Sequence, residues 1–439
     1  MVTASYNSAS AREFQKLKND LHQQMVASID FSRADRMTQE EFQSQLRGLA
    51  GFLCSQQESQ LTSDQRNVMV DQIMDEIYGF GPLESLMSDP EVTDILVNGH
   101  DRILVERNGR LEDTIYTFAD EQHLMRFIKR MVSKSGRQID ESHPIVDTRL
   151  DDGSRFNAVI PPLAVNGPTV SIRRFGNRRL TIEDVINSGS LAPAMADFLI
   201  LAVRGRMNIV VSGGAGVGKT TLLNGISRFI PAGQRVVTIE ETAELKLQQK
   251  DVIALETRPA NIEGKGAVTQ RDLLRNALRM RPDRIIVGEA RGDEVLDMLQ
   301  AMNTGHDGSM STVHANSAAE TLQRLEMLIA LSSTNLAPRI AQQFIGNAID
   351  IVIHMTRLHT GERIITRISE AGAKQTGELE LKDIFVYRSS STGGKPAGGA
   401  FFATGFEPAA LTRLARTGIS IDQFRPLFVP RELEMKTLR

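Results

Sequence analysis

Tryptophan is absent from this 439-residue chain, and cysteine occurs once, at Cys54. A single thiol can close no internal disulfide and build no thiolate zinc site, which fits a reducing compartment. Aromatic residues make up only 5% of the chain, so stacking platforms for single-stranded nucleic acid are scarce. Neither sign of charge dominates: 51 Lys and Arg against 54 Asp and Glu leave a formal net charge of −3. No global field therefore draws the protein to nucleic acid or to anionic lipid. Long hydrophobic runs are missing too. The longest, LAPAMADFLILAV from Leu191 to Val203, is broken by Asp197 and stops at Arg204 and Arg206, short of the roughly 20 residues that span a bilayer. The opening segment, MVTASYNSASAREFQKLKND, has no apolar stretch of signal-peptide type. The expectation is a cytoplasmic protein whose membrane contacts run through partners.

What is present is a globular composition, 41% hydrophobic and 24% charged, long enough for two or three domains of about 100 to 200 residues. Residues 1–80 have helical periodicity, with apolar positions at Leu46, Leu49, Phe52 and Leu53 and again at Val68, Val70, Ile73, Met74 and Ile77. YGFGPLE, Tyr78 to Glu84, breaks that pattern. Residues 81–175 then read as a mixed α/β domain, with short strands, a two-residue hairpin turn at Asn108-Gly109 and a helix around DEQHLMRFIKRMVSKSG. Residues 176–180 form a hinge linker. From 181 to 439 strands and helices alternate, which predicts a parallel sheet covered on both faces, followed by C-terminal antiparallel strands and a tail. SSSTGGKPAGG, Ser389 to Gly399, reads as a flexible loop.

The chemistry lies in the second half. NIVVSGGAGVGKTTLLN carries the G-x-x-x-x-G-K-[ST] pattern between an apolar strand and a helix-forming segment. A chance glycine-rich turn is the alternative, and its flanks argue against it. In this motif the backbone of Gly213, Gly214, Ala215, Gly216, Val217 and Gly218 curls so that N–H groups converge on the β- and α-phosphates. Lys219 bridges the β- and γ-phosphates, Thr220 ligates magnesium, and Thr221 continues the first helical turn. ATP and Mg2+ are the expected cofactors.

RPDRIIVGEARG has Walker B character: a buried strand ending at Glu289, 70 positions after Lys219 (289 − 219). At the carboxyl edge of a parallel sheet that carboxylate could polarise or deprotonate an attacking water; the alternative is a strand-end acid in a surface salt bridge. VVTIEETAEL ends in two adjacent acids, Glu240 and Glu241. Alternation along a strand turns only one inward, and Glu240 is favoured, orienting water or magnesium; solvated acids at a strand end are the alternative.

His306 and His314 fall within NTGHDGSMSTVHANS. A helix ending near Gly305 followed by the strand SMSTVHA makes a βαβ unit, which sets the two histidines at opposite ends of one strand. They should not share a metal. Thr312 and His314 come out at the catalytic edge, His314 as a γ-phosphate sensor, while His306 packs in a turn or faces a neighbouring subunit. Arg149, Arg155, Arg173 and Arg174, near the domain junction, are candidates to reach phosphate through bidentate hydrogen bonds, against the alternative of a solvated face.

With these motifs, and with YGFGPLE and TVSIRRF before them, the chain from about Tyr78 to about Tyr387 resembles the type II/IV secretion ATPase superfamily. Within it the likeness is to the CpaF-like ATPases of tight-adherence (Tad, or type IVb) pilus systems. The block from Leu255 to Ser317 is more specific than the P-loop. The resemblance implies a RecA-like P-loop ATPase core behind the N-terminal domain, and a homohexameric ring at the cytoplasmic face of the inner membrane. ATP would bind between domains at subunit boundaries, and the work would be pilus assembly, with retraction left open, through a membrane platform protein and the pilus assembly machinery. It assigns Glu289 as the catalytic Walker B residue, Glu240 and Glu241 as the Asp box, TGHDGSMSTVHANS as the His box, and Arg149 and Arg155 as arginines reaching nucleotide. Here Glu241 stands where the family usually has Asp, and Ala215 and Val217 stand where Thr and Ser are frequent. A type II or type IV secretion ATPase moving protein or DNA is the alternative within the class. A RecA-like nucleic-acid translocase is the alternative outside it, and direct nucleic-acid binding is not expected.

Overall fold

The computed structural model describes residues 17, 20, 21, 24, 25 and 28, and then 39–56, 61–107, 109–174, 181–260, 264–332, 336–374, 376–392, 395–412, 414 and 420–435. The expected hinge at 176–180 lies outside the described residues. The chain divides into two compact units, Met1–Asn177 and Arg178–Arg439.

The first unit opens with helices α1 (Gln39–Ser55) and α2 (Ser63–Tyr78). They pack through Leu46, Ala50, Cys54, Met69, Ile73 and Met74, so the periodic apolar positions do form a core. Phe52 and Val68 are exceptions, 59% and 49% exposed. A capping box between Thr62 and Gln65 starts α2. Helix α2 ends at the YGFGPLE break, with Gly79 as its C-cap. Phe80 N–H donates to the Glu84 carboxylate at 2.6 Å, and a Cβ at Gly79 would lie 2.3 Å from that same carboxylate.

After the short helix α3 (Glu84–Ser88) comes an antiparallel sheet in the order β3-β2-β1-β6-β5-β4, built from β1 (Val92–Asn98), β2 (Ile103–Arg107), β3 (Arg110–Asp113), β4 (Ile145–Arg149), β5 (Arg155–Val159) and β6 (Thr169–Arg173). Arg107 pairs with Arg110 across the β2–β3 turn, as the Asn-Gly pair predicts. Helix α4 (Glu121–Lys134) covers one face. Its buried residues, His123, Leu124, Phe127, Ile128, Met131 and Val132, recur at helical spacing and meet Ile95, Val97, Phe156 and Ile172 from alternate strand positions.

The second unit contains α5 (Ile182–Asn187), α6 (Pro193–Arg204), β7 (Ile209–Gly213), α7 (Lys219–Ser227), β8 (Val236–Glu240), β9 (Val252–Glu256), α8 (Gln270–Ala277), β10 (Arg284–Val287), α9 (Glu294–Asn303), β11 (Met310–His314), α10 (Ala318–Leu331) and α11 (Pro338–Ala348). Then follow β12 (Ile351–Arg357), β13 (Arg363–Ala373), β14 (Leu379–Thr392), β15 (Lys395–Ala403) and β16 (Arg431–Glu432). All form one ten-stranded sheet, ordered β16-β15-β14-β13-β12-β7-β11-β10-β8-β9. The run from β12 to β9 is parallel, and β13 onward is antiparallel.

Side chains alternate between two cores. Ile209, Val211, Ile286 and Ile353 pack with α5, α6 and α7 on one face, and Val210, Val237, Ile285, Val287, Val313 and Val352 pack with α8 to α11 on the other. Two-sided burial explains why these strands read as continuous apolar runs. The core is a RecA-like P-loop α/β fold.

One expectation is overturned. The Ser389–Gly399 segment is the closed end of the β14–β15 hairpin, with Ser389 paired to Gly399 and Thr392 to Lys395. Backbone pairing across β14 and β15 makes strand of residues whose small polar composition alone reads as a loop. No helix among the described residues is long and apolar enough to cross a membrane.

Candidate active site

Every β7 residue is buried. At its end Gly213 (φ 151°) lies so close to β12 that a Cβ would sit 2.3 Å from the Met355 carbonyl oxygen. Gly216 and Gly218 hold φ of 68° and 96°, the left-handed region that glycine tolerates without strain. Val217, 4% exposed, anchors the loop in the core while Gly214, Ala215 and Gly216 stay accessible. Helix α7 then begins at Lys219 with no side-chain cap, so its first N–H groups face the loop as donors. Thr220 and Thr221 are half-buried in its first turn.

The Lys219 ammonium, 7% exposed, donates to the Gly213 and Gly214 carbonyls at 3.1 and 2.7 Å. It also lies 3.3 Å from Nδ1 of His314. Burial lowers the lysine's pKa, and nearby Glu289 acts the other way. His314 ends β11 in register with Gly213, and its Nε2 is 2.7 Å from Oε1 of Glu289. A ring nitrogen facing an ammonium must accept, so Nδ1 is bare and the proton sits on Nε2; Oε1 of Glu289 lies close to that nitrogen but accepts no hydrogen bond from the described residues. Burial lowers the His314 pKa, which favours this neutral tautomer.

Glu289 lies two residues past β10, and its Oε2 is 2.7 Å from Arg291 Nη2. Arg291 Nη1 is 2.8 Å from Glu241 Oε2. Lys219, His314, Glu289, Arg291 and Glu241 therefore form one polar chain across the carboxyl ends of β7, β11, β10 and β8. Thr312, 1% exposed, closes the floor by donating to the Gly288 carbonyl at 2.7 Å.

Of the two Asp-box acids Glu240 is the inward one, as expected, and Glu241 is the exposed one. Glu240 is 3% exposed, and its carboxylate accepts backbone N–H groups of Glu244 at 3.0 Å and Leu245 at 3.1 Å. It crosses over Gly288, where a Cβ would come within 2.7 Å of its Cγ. β8 ends at Glu240, so strand alternation does not extend to Glu241. Glu241, not Glu240, is the acid that shares Arg291 with Glu289. Burial pushes the Glu240 carboxyl up to about 7, against the lowering effect of the two N–H groups.

That shift predicts a pH effect. An acid whose folded pKa is raised contributes most below its unfolded value, and the contribution fades as pH rises through about 7. Denaturant unfolding of the wild type and Glu240→Gln should show the balance moving toward the variant between pH 5 and 8, by roughly 3 kcal/mol. A pH-independent difference would contradict it.

His306 is half-buried in the α9–β11 turn, at the opposite end of β11 from His314; its carbonyl accepts from Ser309 Oγ at 2.7 Å. The two histidines do not converge, and no metal-ligand cluster occurs among the described residues. The first unit carries the four candidate arginines. Arg149, Arg155 and Arg173 are cross-strand neighbours in one row that continues to Asp94, so they share a sheet face. Arg155 Nε is 3.1 Å from Asp147 and Arg173 Nε 3.2 Å from Asp94, and Arg149 Nε donates to the Gly153 carbonyl at 3.1 Å. Arg174 instead donates to the carbonyls of Leu86, Asp89 and Val92, a purely structural use.

Comparison with known proteins gives the same reading. A family profile described as type II/IV secretion system protein matches residues 76–380. The chain belongs to the type II/IV secretion ATPase family. A putative conjugal transfer protein of Mycobacterium tuberculosis is 36% identical over 320 residues, which are 72% of this chain and 90% of that one. The conjugal transfer protein TrbB of Rhizobium radiobacter is 34% identical over 284 residues, covering 63% and 83%. Among solved structures, the VirB11 ATPase of the Brucella suis type IV secretion system is 28% identical, with coverage of 67% and 96% and a TM-score of 0.37.

Two polar residues of this secretion ATPase site escaped the sequence reading. Arg291 stands two positions after Glu289 in an unremarkable charged turn. Gln270 follows Thr269, the N-cap of α8, and nothing in its surroundings marks it as buried. Only the fold shows that both join the Walker B segment to the Asp box.

Proposed function

We propose that this secretion ATPase is a magnesium-dependent motor that assembles as a homohexamer at the cytoplasmic face of the inner membrane. It would convert ATP hydrolysis into displacement of a Tad pilus platform protein, and through it into pilin assembly. The observation that carries the hydrolytic part is the Lys219–His314–Glu289–Arg291–Glu241 chain at the sheet's carboxyl edge.

The residues fit magnesium–ATP. The glycine cradle leaves room that side chains would fill, α7 offers uncapped donors, and Lys219 is poised on the loop carbonyls. Thr220 and Glu240 are the residues that would hold the metal; Glu240 already accepts two backbone N–H groups and Glu241 is paired with Arg291. Bound magnesium would neutralise phosphate charge. Lys219 would leave the Gly213 and Gly214 carbonyls for phosphate oxygens. Glu289 would orient the attacking water and accept its proton on Oε1, which has no hydrogen-bond partner among the described residues, with neighbouring His314 reporting on phosphate. Arg149, Arg155 and Arg173 would supply guanidinium groups to nucleotide; their shared face supports that reading.

The names of the relatives favour a second reading, in which the motor serves a conjugal or type IV secretion machine. A phosphate-release assay on the purified chain separates the two. Stimulation by the cytoplasmic domain of a Tad platform protein supports pilus assembly. Stimulation only by a conjugation-system partner would replace it, and stimulation by single-stranded DNA alone would point to a translocase.

A further inference from the structure

Glu241 and Glu289 follow β8 and β10, which are neighbours in the sheet. Two carboxylates brought together from adjacent strands repel each other and splay into solvent unless something holds them. Arg291 reaches both, with Nη1 2.8 Å from Glu241 and Nη2 2.7 Å from Glu289. A planar guanidinium presents two donors at fixed spacing, which a lysine ammonium does not. The pairing raises the Arg291 pKa, its hydrogen bond to Glu289 being the largest cause.

Arg291 is itself held in place. Buried Glu294, 6% exposed, accepts the backbone N–H groups of Arg291 at 2.6 Å and Gly292 at 2.8 Å. A second device fixes the same two segments through their backbones. Turned so that each end of its amide faces a complementary group, Gln270 donates to the Glu289 carbonyl at 3.1 Å and accepts from Glu241 N–H at 3.3 Å. Gln270 is 7% exposed, and its helix is tied to α9 by Arg271, 2.7 Å from both Asp293 and Asp297.

We propose that Arg291 is a positioning residue for hydrolysis, holding the Glu241 and Glu289 carboxylates at one separation while Gln270 holds their backbones. The proposal rests on Glu289 being the catalytic carboxylate of an ATPase. Arg291 donates to Oε2 of Glu289, while Oε1 is buried beside His314 with no hydrogen-bond partner among the described residues, so Arg291 is the group that orients this carboxylate and leaves its second oxygen open. Arg291 acts through Glu289 and Glu241, so its loss should slow turnover without weakening nucleotide binding.

The test uses the full chain with ATP and Mg2+, reading steady-state kcat and KM and single-turnover phosphate release for the wild type, Arg291→Ala, Arg291→Lys, Glu289→Gln and the Arg291→Ala/Glu289→Gln double variant. Arg291→Ala should lower kcat by about 10- to 100-fold with KM changed less than about threefold. Arg291→Lys should recover part of the loss, and the double variant should be no slower than Glu289→Gln alone, because the two residues act as one unit. A merely structural role would not produce that non-additivity. Wild-type kcat in Arg291→Ala, a loss confined to KM, or full additivity would overturn the proposal while leaving the ATPase reading intact. A wild-type chain inert toward ATP would overturn both.

Discussion

Replacing Lys219 by alanine is expected to abolish ATP turnover, a loss on the order of 10³-fold or more, because Lys219 is the cation that the loop itself aims at developing charge on the phosphates. The fold should survive. Lys219 is a desolvated ammonium satisfied by two carbonyls of its own loop and by His314, and desolvation offsets much of what those bonds contribute. Loss of nucleotide binding with an unchanged melting transition, read by a fluorescent ATP analogue and by calorimetry, would match the expectation. Turnover within tenfold of the wild type would remove the P-loop from the reaction.

Glu289→Gln should behave differently, binding ATP and failing to cleave it. The amide keeps the size of the carboxylate and an oxygen for His314 or Arg291, so the cradle stays intact. It cannot accept the proton of an attacking water, and general-base loss of this kind typically costs 10²- to 10⁴-fold, an order-of-magnitude range. Trapped, uncleaved ATP on the variant is the readout. Normal hydrolysis would transfer the catalytic role elsewhere, with Glu241 the next carboxylate along the chain.

The two variants together test a separation of labour that the sequence already suggested: P-loop for binding, strand-end acid for chemistry. The sequence carried much of this because glycine pattern, strand–loop–helix context and the βαβ spacing of the His box all depend on local periodicity. The placement of His314 at the catalytic edge and of His306 at the far end followed from the same reasoning, while the contact of His314 with Lys219 came from the pairing of β11 with β7. What periodicity could not provide was the point where a strand stops. β8 ends at Glu240, and that one-residue boundary decides which Asp-box acid meets Arg291 and which is clasped by the loop after it. The arginine row of Arg149, Arg155 and Arg173 depends on pairing register across three strands, which no single strand encodes. Arg291 and Gln270 were silent because their importance lies in what they span. The β14–β15 ribbon was misread because glycine and serine at a hairpin tip look like a linker.

The P-loop strand has two neighbours. On one side is β11 with His314, and on the other is β12, whose Met355 carbonyl crowds against Gly213. β12 is held by β13 and the long ribbon beyond it, and Phe385, Phe401 and Phe428 from that region pack with Phe198 of α6 in the same core that seats α7. The nucleotide loop and the C-terminal strands therefore rest on one hydrophobic core. A packing change in the C-terminal ribbon thus reaches the nucleotide loop through β12, with no residue of the ribbon belonging to the P-loop motif.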